Sequence, residues 1–113
     1  MAKLRRYCGS YILELSGNYI REYCGPIRYE INGDYVRQYC GQILFQIDGD
    51  RIRQYCGTYQ LELNGNNIRR YCGPIIYQLD GKYIRQYCGP ILYEIDGFVS
   101  HKELMALLAI LFA

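Results

Sequence analysis

The sequence has a single histidine, no C-x-x-C pair, no G-x-G-x-x-G loop and no apolar run long enough to cross a bilayer. Each absence removes a class of function. With His101 the only imidazole, no Ser/His/Asp set can be assembled. Its place beside a helix start reads as a solvated first-turn residue rather than a general base. The missing C-x-x-C spacing removes an ordinary tetrahedral zinc site built from neighbouring ligands. The missing glycine-rich loop removes nucleotide binding by a known motif. The amino terminus, Met1-Ala2-Lys3-Leu4-Arg5-Arg6, has no apolar core of the signal-peptide kind, and the apolar stretch Leu104 to Ala113 is too short for a membrane span. The expectation is a soluble cytoplasmic protein without a cofactor. A net charge of +2 makes a general nucleic-acid footprint weak.

What is present is a period. All 12 glycines fall eight residues apart, from Gly9 to Gly97, and the octets between them alternate between two kinds. One reads Asn18-Tyr19-Ile20-Arg21-Glu22-Tyr23-Cys24 and the other Pro26-Ile27-Arg28-Tyr29-Glu30-Ile31-Asn32, giving a 16-residue unit present in six copies. The second octet alternates Ile27, Tyr29, Ile31 against Arg28, Glu30, which is the pattern of a half-buried strand. The first, rich in Tyr, Ile and Arg, suits a companion strand.

Asn32-Gly33, Asp48-Gly49, Asn64-Gly65, Asp80-Gly81 and Asp96-Gly97 predict type I′ turns, with Ile31 opposite Asp34, Tyr29 opposite Val36 and Ile27 opposite Gln38. The Cys-Gly links run into Pro26, Pro74 or Pro90. Proline lacks the N–H that closes a tight turn, so these links are expected to pass between units. Residues 10–24, 26–40, 42–56, 58–72 and 74–88 would then be complete hairpins. The strand at Leu4 to Cys8 and the strand at Ile91 to Ile95 would pair to form a sixth hairpin and close a ring, removing exposed edges. The expected fold is all-β, six hairpin repeats in a closed radial array over residues 1–98, with a short C-terminal α-helix in 99–113. The alternative is a flattened β-solenoid, which would stack Arg5, Arg21, Arg37, Arg53, Arg69 and Arg85 about 4.7 to 4.9 Å apart with like charges adjacent.

A longer period is also legible. Tyr11-Ile12-Leu13-Glu14-Leu15 matches Tyr59-Gln60-Leu61-Glu62-Leu63, 48 residues on, and Pro26-Ile27-Arg28-Tyr29 matches Pro74-Ile75-Ile76-Tyr77. This is the mark of a duplicated block of three units.

The spacing G-x-x-I-x-x-Y-x-G-x-x-x-Y-x-I-D-G, as it stands from Gly81 to Gly97, resembles the short repeats of small bacterial proteins grouped as β-flower proteins. The resemblance covers residues 4–97. It implies radially arranged hairpins and no assigned chemistry. Members of that group carry four units, whereas this chain has six and a terminal helix.

Ser100-His101-Lys102-Glu103 reads as a capping box. The helix that follows is apolar around nearly its whole circumference, so it must dock, either over the protein's own core or, through Leu104, Leu107, Leu108 and Leu111, against another chain. A homo-oligomer is the expected partnership.

Three sets of side chains could carry chemistry. Glu30, Glu62 and Glu94 lie on a polar strand face beside basic columns and are expected to pair with them. Cys8, Cys24, Cys40, Cys56, Cys72 and Cys88 recur once per unit. They read as reduced, small turn-packing residues, with disulfides between neighbouring units and a soft-metal or redox role as the alternatives. Tyr7, Tyr23, Tyr39, Tyr55, Tyr71 and Tyr87 follow the periodic arginines by two residues and share their strand face. Arg and Tyr alternating there would hold the surface together by cation–π contact or offer a repeated face to an anionic ligand or nucleic acid. The chain is thus expected to be a non-enzymatic structural or interaction protein, with a binding module for anions as the alternative and a thiol metal or redox protein as a remote one.

Overall fold

A computed structural model describes residues 2–113. It contains β1 (Ala2–Arg6), β2 (Tyr11–Ser16), β3 (Tyr19–Glu22), β4 (Ile27–Asn32), β5 (Tyr35–Gln38), β6 (Ile43–Asp48), β7 (Arg51–Gln54), β8 (Tyr59–Asn64), β9 (Asn67–Arg70), β10 (Ile75–Asp80), β11 (Tyr83–Gln86), β12 (Ile91–Asp96) and α1 (His101–Phe112). Every strand pairs antiparallel with its sequence neighbours, and β1 pairs with β12 (Lys3 opposite Asp96, Leu4 opposite Ile95), so the twelve strands close into a barrel. The ring is the expected closed one, not the solenoid. It is a disc of 37 × 35 × 17 Å.

The turns differ from expectation in two ways. First, Asn32 pairs with Tyr35 and Ile31 with Val36, so the two loop residues are Gly33 and Asp34. Gly33 has φ 63°, and among the described residues the only non-glycine residues with positive φ are the six cysteines. Positive φ at the first loop position alone is the type II′ arrangement, which needs glycine there, whereas type I′ would require positive φ at both. The pairing therefore moves by two residues from the predicted one. An even shift leaves each side chain on its face, which is why the predicted apolar face survives.

Second, the Cys-Gly links do not pass between separate units but are tight hairpins as well: β3 pairs with β4. The Gly25 N–H, not that of Pro26, donates to the Glu22 carbonyl at 2.9 Å, and the Pro26 carbonyl accepts from Glu22 N–H at 3.1 Å. Proline's missing donor is not needed. Cys24, the second central residue, holds φ 56°. Gly25 follows because a Cβ there would stand 3.0 Å from the Cβ of Glu22. Beyond the turn the register slips between Ile20 and Arg21, leaving Arg28 as a bulge residue.

Inside the ring, Leu4, Leu15, Ile20, Ile31, Val36, Ile47, Ile52, Leu61, Ile68, Ile84 and Ile95 form a buried lining around Met105 to Ala109 of the helix. The capping box forms as read: Glu103 N–H donates to Ser100 Oγ at 3.2 Å and Ser100 N–H to Glu103 Oε1 at 2.9 Å. Twelve helical residues rise roughly 18 Å, which matches the 17 Å thickness of the disc. The helix thus runs through the ring. At its start His101 Nε2 lies 3.1 Å from the Gly49 carbonyl and Lys102 Nζ 3.0 Å from Asp34 Oδ1. At its end Phe112 stacks on Tyr77 with centroids 3.9 Å apart. No helix among the described residues is long and apolar enough to cross a membrane.

Candidate functional site: the arginine–tyrosine wall and the two rims

Strand alternation puts the periodic arginines and Glu14, Glu30, Glu62 and Glu94 on the outer wall, because their neighbours Ile20, Val36, Ile52 and Ile68 point inward. Arg21 Nη2 donates to the Gly25 carbonyl at 2.7 Å, Arg37 to Gly41 at 2.8 Å, Arg53 to Gly57 at 2.9 Å and Arg85 to Gly89 at 2.7 Å. Arg69 does the same to Gly73 through Nε at 3.1 Å. Five of the six arginines in the column that reads as an anion surface are therefore engaged in holding the Cys-Gly turns, Arg5 being the exception. Each acceptor lies four residues along, on the far side of the turn, a contact that strand periodicity does not display.

The carboxylates pair as expected. Glu94 meets Lys82 at 2.9 Å and Arg5 at 3.9 Å, Glu62 meets Arg51 at 3.3 Å and Glu30 meets Arg37 at 4.0 Å. Glu94 holds the Lys82 ammonium above its ordinary range, first by hydrogen bond and then by charge. His101 Nε2 sits 3.2 Å from Asp50 Oδ1, so the one imidazole ties the helix start to a turn.

The tyrosines do not pair with the arginine two residues before them. Tyr39 meets Tyr19 edge-on at 5.9 Å, Tyr55 meets Tyr35 at 5.7 Å, and Tyr7 meets Tyr83 at 5.8 Å across the ring closure. The residue that would complete this contact for Tyr87 is Asn67. For Tyr23 and Tyr71 it is Lys3 and Arg51, whose cationic groups lie 5.4 and 5.5 Å from those ring centroids.

At these two places the wall changes character. Tyr11 packs on Tyr23 at 5.1 Å and Tyr59 on Tyr71 at 4.9 Å. Arg5 lies 5.4 Å from Tyr11, and Arg53 lies 5.3 Å from Tyr59. Tyr11 donates to Asp96 Oδ2 and Tyr59 to Asp48 Oδ2, both at 2.7 Å. In both tyrosines the hydrogen bond to the carboxylate is the first cause that raises the phenol above its ordinary range. These twin clusters are the structural expression of the 48-residue repeat. The matching Tyr11 and Tyr59 are legible in the sequence; their aspartate partners are not, since one of them is reached only by closing the ring.

Because the strands alternate in direction, all six Cys-Gly turns lie on one rim and all five Gly-Asp-type turns on the other. The second rim is charged, with Asp34, Asp48, Asp50, Asp80 and Asp96 interspersed with Lys3, Arg51, Lys82 and Lys102. The turn tips of the first, from Tyr7–Ser10 round to Tyr87–Pro90, carry no charged residue. All six cysteines there are free and exposed rather than packed into the turns. The described residues hold no group of three or more His, Cys, Asp or Glu that could bind a metal ion. An open pocket of about 520 Å³ at this rim has Leu13, Ile27, Tyr29 and Ile110 on its walls and the Arg28–Glu22 pair (Nε to Oε1, 2.6 Å) at its edge.

The association residues of the helix divide. Leu107 and Leu108 are buried inside the ring, whereas Leu104 and Leu111, nearer its two ends, are only partly covered. No family model, no curated protein and no solved structure matches this chain.

Proposed function

We propose that this chain is a non-enzymatic structural or interaction protein, a closed β-repeat scaffold capped by its own helix. The observation that carries the reading is the burial of Met105 to Ala109 within the ring. With the helix engaged there, the outer wall and the rims are the surfaces left for a partner. Burying a Leu-sized side chain contributes roughly 1.5 to 3 kcal/mol, so Leu107 and Leu108 make the helix a principal element of stability.

Leu107→Lys is the test, read by thermal melting and light scattering together. A lysine forced into the dry lumen has no partner for its charge, and the melting temperature should fall steeply. A variant that keeps the wild-type melting temperature while its particle mass halves would make the helix an interface between chains and overturn the reading.

A second reading, binding of an anionic ligand, is supported by the twin clusters in which two cations flank two tyrosines: Lys3 and Arg5 at Tyr11 and Tyr23, Arg51 and Arg53 at Tyr59 and Tyr71. Heparin retention at low salt that is lost in Lys3→Ala/Arg51→Ala would support it. The periodic arginines are the wrong positions to mutate, because their loss also loosens the turns. Wild-type protein that passes through heparin unretained removes this reading.

A further inference from the structure

The six units have drifted at many positions. The bulge residue is Ile12, Arg28, Leu44, Gln60, Ile76 or Leu92, and the residue after the turn glycine is Ser10, Pro26, Gln42, Thr58, Pro74 or Pro90. Four neighbouring positions have not drifted, and they are the periodic Arg, Tyr, Cys and Gly. The arginine is held in five of the six units by its bond to the glycine carbonyl, the glycine by the crowding a Cβ would meet there, and most of the tyrosines by ring contacts.

The cysteine has no such reason. It is exposed in all six turns and sits at φ 56° to 58°, a conformation that disfavours a side chain and that glycine or asparagine adopts at lower cost. Packing would not retain a cysteine there six times.

The thiols also lack a partner within the ring. Successive Cys turns are two strand spacings apart, about 10 Å, beyond the roughly 7 Å separation of Cα atoms that a disulfide tolerates. No metal-binding group of three or more ligands exists among the described residues. What can engage the whole array at once is a second set of sulfurs at the same spacing, brought from outside the chain. A second copy of this chain supplies it. Two discs facing each other across a two-fold axis in the disc plane bring one ring of thiols over the other, in an isologous contact. The rim is suited to that approach because its turn tips carry no charge, the charged Arg6, Glu22 and Arg70 lying one residue behind them, while the turn tips of the opposite rim include Asp34, Asp50 and Lys82.

We propose that the cysteine rim is a docking face for a second copy of this chain, locked by interchain disulfides under oxidising conditions. Each lock forms in two exchange steps. A thiolate on one chain attacks oxidised glutathione, giving a mixed disulfide and releasing one glutathione thiolate. A thiol of the second chain then displaces the other glutathione, forming one protein–protein S–S bond. Overall two protein thiols lose their hydrogens and two glutathione molecules are formed.

This proposal rests on the interaction reading above but not on the helix, so failure of the two is separable: Leu107→Lys tests the plug by melting, the following test reads covalent mass. Reduced protein is incubated with oxidised glutathione and followed by non-reducing intact mass and light scattering. With all thiols on one rim, oxidation should stop at twice the chain mass. A ladder of larger species, or monomers carrying glutathione on each thiol with no dimer, would overturn the proposal.

A companion variant, Ser10→Glu/Gln42→Glu/Thr58→Glu, places like charges on the docking face and leaves every thiol in place. Its dimer should form about tenfold more slowly at low salt, with an unchanged melting temperature and thiol count. An unchanged rate would mean random collision of exposed thiols, and the docking face would be wrong.

Discussion

Tyr11 donates its hydroxyl hydrogen to Asp96 across 2.7 Å, although 85 residues of chain separate them. The equivalent pair on the other side of the ring, Tyr59 and Asp48, is separated by 11. Equal geometry at such unequal separations follows from closure: the ring treats the seam between β12 and β1 like any other hairpin.

The hydrogen bond to carboxylate raises the phenols of Tyr11 and Tyr59 above the usual tyrosine range. A group whose pKa is higher folded than unfolded contributes stability that is whole below the unfolded value, near 10, and is lost as pH rises through the folded value. Alkaline spectrophotometric titration should therefore show Tyr11 and Tyr59 among the late-ionising tyrosines, together with Tyr7 and Tyr39, which the charge of the adjacent Cys8 and Cys40 raises. Asp96→Asn should bring Tyr11 back toward the ordinary range and leave Tyr59 unmoved. Simultaneous movement of both, or of neither, would contradict the pairing.

The arginine column should matter to stability rather than to charge. Arg37→Ala removes the donor to the Gly41 carbonyl, a part-exposed charge-assisted bond whose loss should cost about 1 kcal/mol. Urea denaturation checks this. A substitution such as Lys102→Ala, on an exposed pair with Asp34, should cost less than about 0.5 kcal/mol. Equal effects of the two would contradict the assignment.

The free, exposed thiols should be dispensable for folding. Replacing all six cysteines by serine keeps the same backbone demand and should move the thermal transition by no more than a few degrees. Cys24→Gly, which relieves a side chain at φ 56°, should stabilise by about 0.5 kcal/mol, the αL relief exceeding the entropy glycine adds to the unfolded chain. A large loss of stability in the serine variant would mean the thiols have structural partners.

The period, the apolar faces, the ring closure and the capping box are legible in the residues, because each depends on spacing alone. Turn register is not. Asn32-Gly33-Asp34 contains both an Asn-Gly and a Gly-Asp loop, and the choice falls to the pair that needs only one positive φ. Pro26 misleads for a related reason: the turn is closed one residue earlier, by Gly25. The arginines and tyrosines are legible as a shared strand face, but their partners lie across a turn or one unit away. The glycine carbonyls and the carboxylates of Asp96 and Asp48 therefore appear only once the ring is built.

Closure of the ring through β1 and β12 can be read from a cross-link at the seam. Lys3 and Asp96 stand opposite each other in that pairing, within the reach of a disulfide between directly opposed antiparallel residues. In the background with all six native cysteines replaced by serine, Lys3→Cys/Asp96→Cys should oxidise within one chain. The monomer should lose the mass of two hydrogen atoms and keep its compactness. Two thiols that remain free under mild oxidation, or that bond only between chains, would contradict the closed ring.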